Sequence, residues 1–189
     1  MIRKIKLLSL VILTCTGCFK PARPDATTLA RRDQELKSLL TQAVIGLRKN
    51  TTEGRDQALG ALTVAIELAP QDARVLDGLG SLYFQEENYQ AAKSYFKRAI
   101  AADPQYSRPY AHLALIARKE SNQSEAERLS RIALKKNPLN FRARNNFAVI
   151  EQELGKHNYA ADEFYRAHLA SKQRARLIRS NINKQKEEL

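Results

Sequence analysis

The sequence predicts an all-α protein built as an α-solenoid: about four antiparallel helix pairs stacked side by side, then one further helical segment. Three observations predict it. Apolar residues recur at helical spacing with much alanine among them, and the alternation of a half-buried strand is absent. Glycine is scarce, 7 residues in 189, so the punctuation comes from proline and asparagine. One pattern of small and large residues returns at a constant 34-residue spacing, with prolines at 70, 104 and 138.

The first stretch, residues 1–17, reads as an export signal. "MIRKIK" carries three cations and no acid, "LLSLVIL" is apolar, and small and polar residues follow. The apolar part falls far short of the ~20 residues that span a bilayer as a helix. Cys15 and Cys18 form a Cys-x-x-Cys pair and are the only cysteines in the chain. A structural metal site needs about four ligands, and the first histidine is His112. A redox pair needs a helix start behind a strand, whereas Pro21 and Pro24 follow here. The export signal is therefore favoured over an uncleaved membrane tether and over redox or metal chemistry. Thr16, Gly17 and Cys18 resemble the end of a bacterial lipobox, with Cys15 where that family has leucine. The resemblance implies that Cys18 becomes the lipidated first residue. Buried acyl chain contributes ~0.8 kcal/mol per methylene, so several chains together hold a protein on a membrane. Phe19 in place of aspartate after the cysteine looks, in enteric-type bacteria, like release to the outer membrane. With Cys15 removed and Cys18 acylated, no disulfide is left to stabilise the fold.

Residues 18–27, containing "FKPARPDA", read as a flexible tether. Helices are expected at about 28–49, 55–68, 73–86, 89–102, 107–120, 123–136, 141–154 and 157–171, with Thr27 or Thr28 capping the first. Pro70, Pro104 and Pro138 follow the second helices, where a missing backbone donor helps to stop them. The last segment, 175–189, is basic and carries Leu177, Ile178 and Ile182 on one side. It is expected either to extend the final helix or to form a cap over the open end of the stack.

From Ala73 to Tyr106 the residues are Leu76, Leu79-Gly80, Tyr83, Ala92, Phe96, Ala99 and Pro104. The next unit, 107–140, has Tyr110, Leu113-Ala114, Ala117, Ala126, Ala133 and Pro138, with Ser130 in the phenylalanine place. The unit 141–174 has Phe147-Ala148, Gly155, Ala160, Phe164 and Ala167; Arg144, Glu151 and Lys172 depart from the pattern, as in a terminal unit. The unit 39–72 has Ile45-Gly46, Ala58, Leu62, Ala65 and Pro70, with Lys49 departing. These four in-register units, within a domain spanning 28–174, resemble the tetratricopeptide repeat (TPR) family. The resemblance implies a right-handed superhelix whose first helices line a concave groove. The residue types suit that packing without the name: small residues such as Gly80, Ala92 and Ala114 let helices approach, and Leu79, Tyr83 and Phe96 fill between layers.

By that resemblance the second, fifth, ninth and twelfth places of each first helix face the groove. They are Leu40, Ala43, Leu47 and Asn50 in the first unit, and Arg74, Asp77, Ser81 and Phe84 in the second. The third unit gives Arg108, Ala111, Leu115 and Arg118, the fourth Arg142, Asn145, Val149 and Gln152. Guanidinium forks beside apolar residues suit a peptide or helix with acidic and apolar residues. The two-carboxylate clamp of chaperone-tail-binding members is not expected, because Ala43 and Leu47 stand at two of its places.

Charge points the same way. The formal net charge is +12. From Cys18 to Tyr106 there are 12 cations against 11 acids, and from Ser107 to Leu189 there are 17 against 9. A basic half suits acidic protein surfaces or anionic lipid; in an exported chain nucleic acid is not expected. Catalysis finds no support: there is no Gly-rich phosphate loop, no Gly-x-Ser-x-Gly and no His-Glu-x-x-His. His157 and His168 lie about 16 Å apart at the rise of an α-helix, too far to share a metal. No cofactor and no metal are expected.

Small lipoproteins made almost wholly of such repeats resemble the pilotins of type IV and tight-adherence pili, and "RARNNFAVIEQELGKHNYAADEF", with its Asn145-Asn146 pair, is similar to theirs. That resemblance implies a non-enzymatic scaffold on the outer membrane, facing the periplasm, that assists a secretin-like partner. Two other readings stand beside it. One is a periplasmic adaptor for a peptidase or cell-wall enzyme. The other is an inner-leaflet electrostatic module whose basic tail from Arg166 to Lys186, including Arg174, Arg176 and Arg179, meets anionic lipid or glycan.

Overall fold

Eight α-helices follow one another in the computed structural model, which describes residues 25–187. The expected export signal, Cys18 and all but the last three residues of the tether lie outside them. The helices are α1 (Ala26–Lys49), α2 (Thr52–Leu68), α3 (Ala73–Gln85), α4 (Tyr89–Ala102), α5 (Ser107–Lys119), α6 (Gln123–Lys136), α7 (Phe141–Glu153) and α8 (His157–Glu187). They pack as pairs α1/α2, α3/α4, α5/α6 and α7/α8, and each pair leans on the next through its first helix. No strand occurs among the described residues.

The 34-residue spacing is visible in burial. Ala58, Ala92, Ala126 and Ala160 are all buried, as are Ala65, Ala99, Ala133 and Ala167, and Gly46, Gly80, Ala114 and Ala148. These are the places where helices cross most closely, so a larger side chain has no room. A Cβ on Gly80 would sit 2.6 Å from the Phe96 ring, which is itself fully buried. Leu62, Leu76, Leu82, Ile116 and Ile150 fill the space between layers.

The spacing is visible in the turns as well. Glu87, Ser121 and Gly155 all have positive φ, at 59°, 61° and 76°. Each ends a first helix, and the next backbone N–H reaches back to a helix carbonyl: Asn88 to Tyr83, Asn122 to Ala117 and Lys156 to Glu151, each at 2.9 Å. A left-handed residue at that point satisfies carbonyls that the helix end leaves free. The next helix is then capped by Asn88 or Asn122, whose side chains accept from the N–H groups of Ala91 and Glu125.

Two boundaries differ from expectation, and the last segment takes one of its two expected courses. Asp25, not Thr27 or Thr28, caps α1: its carboxylate accepts from the Thr28 N–H at 2.6 Å. That bond holds the Asp25 carboxyl down at about 2. Helix α2 starts three residues early because Thr51 caps it, accepting from Gly54 N–H at 3.1 Å. Helix α8 runs unbroken to Glu187, so the last segment extends the final helix and does not fold back over the end of the stack.

Candidate functional site: a basic, aromatic-lined groove

The first helices share one cavity of about 910 Å³. Its apolar wall comes from Leu47 of α1, Phe84 of α3, Leu115 of α5, Phe141 of α7 and Phe164 of α8, and Phe96 contributes from beneath. Its cations are Arg48, Arg108 and Arg142. Of the twelve groove residues expected in units two to four, Ser81, Phe84, Arg108, Leu115, Arg142 and Asn145 line it.

The other six are placed elsewhere. Arg74 is engaged with Asp72, Nη2 to Oδ2 at 2.6 Å, and does not line the cavity. Arg118 pairs with Glu153 across to α7 at 2.8 Å. Val149 and Gln152 lie beyond the cavity. Asp77 and Ala111 are corrections, because both are buried rather than presented to a guest. They occupy the fifth place of their helices. Arg108 and His112 of α5 cover Asp77, and Ala143 and Asn146 of α7 cover Ala111. Ala43, at the fifth place of α1, is buried too, whereas Asn145 of α7, with no later unit to cover it, lines the cavity. The fifth place is therefore a contact between units wherever another unit follows.

Asp77 anchors the groove floor. It lies 3.1 Å from His112 Nδ1 and 3.2 Å from Arg108 Nη2, and accepts from the Tyr106 hydroxyl at 3.4 Å. Burial alone would push its carboxyl up, but His112, Arg108 and Tyr106 outweigh that and hold it below the usual range. In return, burial and the Asp77 charge raise the Tyr106 hydroxyl. Ser81 Oγ lies 3.4 Å from His112 Nδ1 and donates to the Asp77 carbonyl at 2.8 Å. Ser81, His112 and Asp77 do not compose a proton relay. Serine and carboxylate meet the same ring nitrogen, and a relay needs one on each.

Arg142 is different. Burial lowers its pKa, and Arg108, Arg48 and Arg174 lower it further. Arg108 is tied to Asp77, but neither Arg142 nor Arg48 has a carboxylate within salt-bridge distance among the described residues. Three guanidinium groups thus line one cavity with an apolar wall, and those of Arg108 and Arg48 act on that of Arg142. Arg174 and Leu177 of the α8 extension also border a second cavity of about 400 Å³, facing the turns that hold Tyr106 and Asn140.

The sequence reading missed Val44, Arg48, Gln85, Phe96, His112, Phe141, Asn146 and the α8 residues Phe164, Ala167, His168 and Ser171. The four on α8 belong to a second helix, a class whose inner face is normally covered. The missing signal is that no fifth unit covers α8 among the described residues. Among the described residues no His, Cys, Asp or Glu cluster could hold a metal ion, and no helix is long and apolar enough to cross a membrane.

Residues 73–106 match the tetratricopeptide repeat family model. Solved structures share the architecture. The crystal structure of MamA is similar at TM-score 0.55 and 20% identity, over 79% of this chain and 86% of that one. Pseudomonas aeruginosa pilF is similar at TM-score 0.63 and 18% identity, over 75% of this chain and 64% of that one. The O-GlcNAc transferase of Thermobaculum terrenum, a K341M mutant, matches at TM-score 0.55 and 22% identity over 64% of this chain and 23% of its own. No curated protein matches in sequence. The fold is an all-α TPR solenoid.

Proposed function

We propose that this chain is a non-enzymatic scaffold that holds another envelope protein in its groove, tethered to the outer membrane through a lipid on Cys18. The observation that carries the groove reading is that Arg48, Arg108 and Arg142 line one cavity with four phenylalanines. Like charges held together in partly buried surroundings are relieved by an anionic guest. The phenylalanines supply the apolar contact that gives such a guest affinity. The partner class is a protein segment with acidic and apolar residues.

The finer reading is that this guest belongs to a pilus or secretin-type assembly. It rests on the lipobox-like segment and on the likeness to pilotin lipoproteins; the similarity to pilF is one of fold. A photo-crosslinking residue in place of Leu115 should capture one envelope protein, and Arg142→Glu should lower the yield. Capture that is indifferent to Arg142→Glu, or equally strong from a residue on the opposite face such as Arg55, would count against the groove. Deleting the gene should cost secretin multimers, and Cys18→Ser should move the protein to the soluble periplasmic fraction. Intact multimers would remove the finer reading, and unchanged membrane fractionation would remove the anchor.

A further inference from the structure

Each inner unit is a seat for the helix that follows. For α7 the seat consists of Ser107 and Ala111 on α5 with Ala133 and Leu134 on α6. Asn140, the cap of α7, donates to Ser107 Oγ at 2.9 Å. Asn146 donates to the Ala111 carbonyl at 3.3 Å. Ala143 packs in one cluster with Ala111 and Ala133, flanked by Leu134. Thirty-four residues further on, the same four places are Phe141 and Asn145 of α7 with Ala167 and His168 of α8. All four line the 910 Å³ cavity. No helix of the chain takes this last seat among the described residues, because α8 runs straight on to Glu187 where a fifth unit would turn back.

We propose that this open seat takes an acidic amphipathic helix from another protein, docked on α7 and α8 as α7 is docked on α5 and α6. The location rests on the groove reading above; the helical form of the guest, its end-on placement and its need for a small residue go beyond it. The small residue follows from Ala167, which repeats the place of Ala133, where α7 presents Ala143. A close helix crossing needs little side chain on either partner. The acidic character follows from Arg142, which lines the cavity next to Phe141 with no carboxylate within salt-bridge distance among the described residues, and from Arg174, which borders the second cavity. Charge also decides against a second copy of this chain. Its free helical extension carries Lys172, Arg174, Arg176 and Arg179, and would bring cations onto cations.

The test uses the full chain and a fluorescent, side-chain-crosslinked helical peptide. The peptide copies residues 141–153 with the equivalents of Arg142 and Arg144 replaced by Glu. Anisotropy should show saturable binding, weakened about tenfold or more by Ala167→Arg and by His168→Glu, and weaker at high salt. His168 is exposed, so its variant reports on binding even if Ala167→Arg perturbs the fold. A proline-substituted version that cannot be helical should not bind. Binding unaffected by either α8 substitution would overturn the proposal. So would loss of binding in Phe84→Ala but not His168→Glu, which would place an extended guest along the groove and leave the scaffold reading standing. A concentration-dependent dimer that Ala167→Arg abolishes would give the seat to a second copy. No capture from Leu115 would instead count against the scaffold reading itself.

Discussion

Asp77 is where a single residue carries the most. Its carboxylate is fully buried, yet its pKa is held low because His112 and Arg108 lie beside it and the Tyr106 hydroxyl donates to it. A depressed carboxyl contributes stability above its unfolded pKa, and that contribution is lost as pH falls through the folded value. Here the window opens just below pH 4, the ordinary aspartate range, and extends downward. Asp77→Asn should lower stability at neutral pH by about 3 kcal/mol, at the low end for breaking a buried pair because Arg108 can still reach water. It should also flatten the acid limb of the stability curve. Urea melts from pH 7 to 3 would check both, and an unchanged acid limb would remove Asp77 from this role. The sequence made the type of this residue legible but not its place. The fifth position of a first helix faces outward only when no unit follows, and Asp77, like Ala43 and Ala111, has a following unit to cover it. The floor histidine was illegible for the same reason: His112 is defined by a partner 35 residues earlier in the chain.

Between helices, glycines that look alike in the sequence have opposite roles. Gly46 and Gly54 face each other across α1 and α2, and a Cβ on Gly46 would run into the Gly54 carbonyl oxygen and the Ala58 backbone. Gly60 lies within α2 with nothing within 4 Å of the place a Cβ would take. Gly46→Ala should therefore cost about 1–3 kcal/mol through overpacking, while Gly60→Ala should stabilise by about 0.5–1 kcal/mol by restricting the unfolded chain and favouring helix. Paired thermal melts check the sign, and the same sign for both would mean that the α1–α2 contact is looser than the structure has it. Caps are the other element-scale device. Asn122→Ala should cost about 1 kcal/mol, because the Glu125 N–H loses its side-chain acceptor. The fourth unit has Lys156 at the corresponding place, where the side chain reaches Glu151 at 2.9 Å instead of capping. Helix existence and register were legible because proline and small residues repeat at fixed spacing. The early start of α2 was not, and for the end of α8 the sequence left extension and a cap both open. The first hangs on one threonine hydroxyl, and the second on the absence of any breaker after Gly155.

At the scale of the whole molecule, charge is placed unevenly along a one-dimensional stack. Neighbouring units make the helix contacts, but the shared groove also brings Arg48 of the first unit and Asp77 of the second within electrostatic reach of Arg142. Around Arg142 the cations Arg108, Arg48 and Arg174 outweigh the one carboxylate, Asp77. The depressed pKa of Arg142 means that its charge disfavours the folded state at neutral pH. Removing that charge should stabilise the guest-free protein. The Arg142 side chain is exposed, so water screens the repulsion and the gain is small, about 0.3–0.5 kcal/mol at low ionic strength. Added salt weakens the surface ion pairs, such as Lys93–Glu120 and Arg118–Glu153, but equally in parent and variant. The difference between the two therefore isolates the groove. The melting temperature of Arg142→Gln should exceed that of the parent at ~10 mM salt, and the gap should close by ~1 M, where the screening length is about 3 Å. The same substitution should weaken capture of the guest. A group that costs stability in the free protein and is needed in the complex is retained for binding. A variant that instead melts lower than the parent at low salt would mean that Arg142 has an anionic partner within the fold, and the groove would lose its claim to an acidic guest.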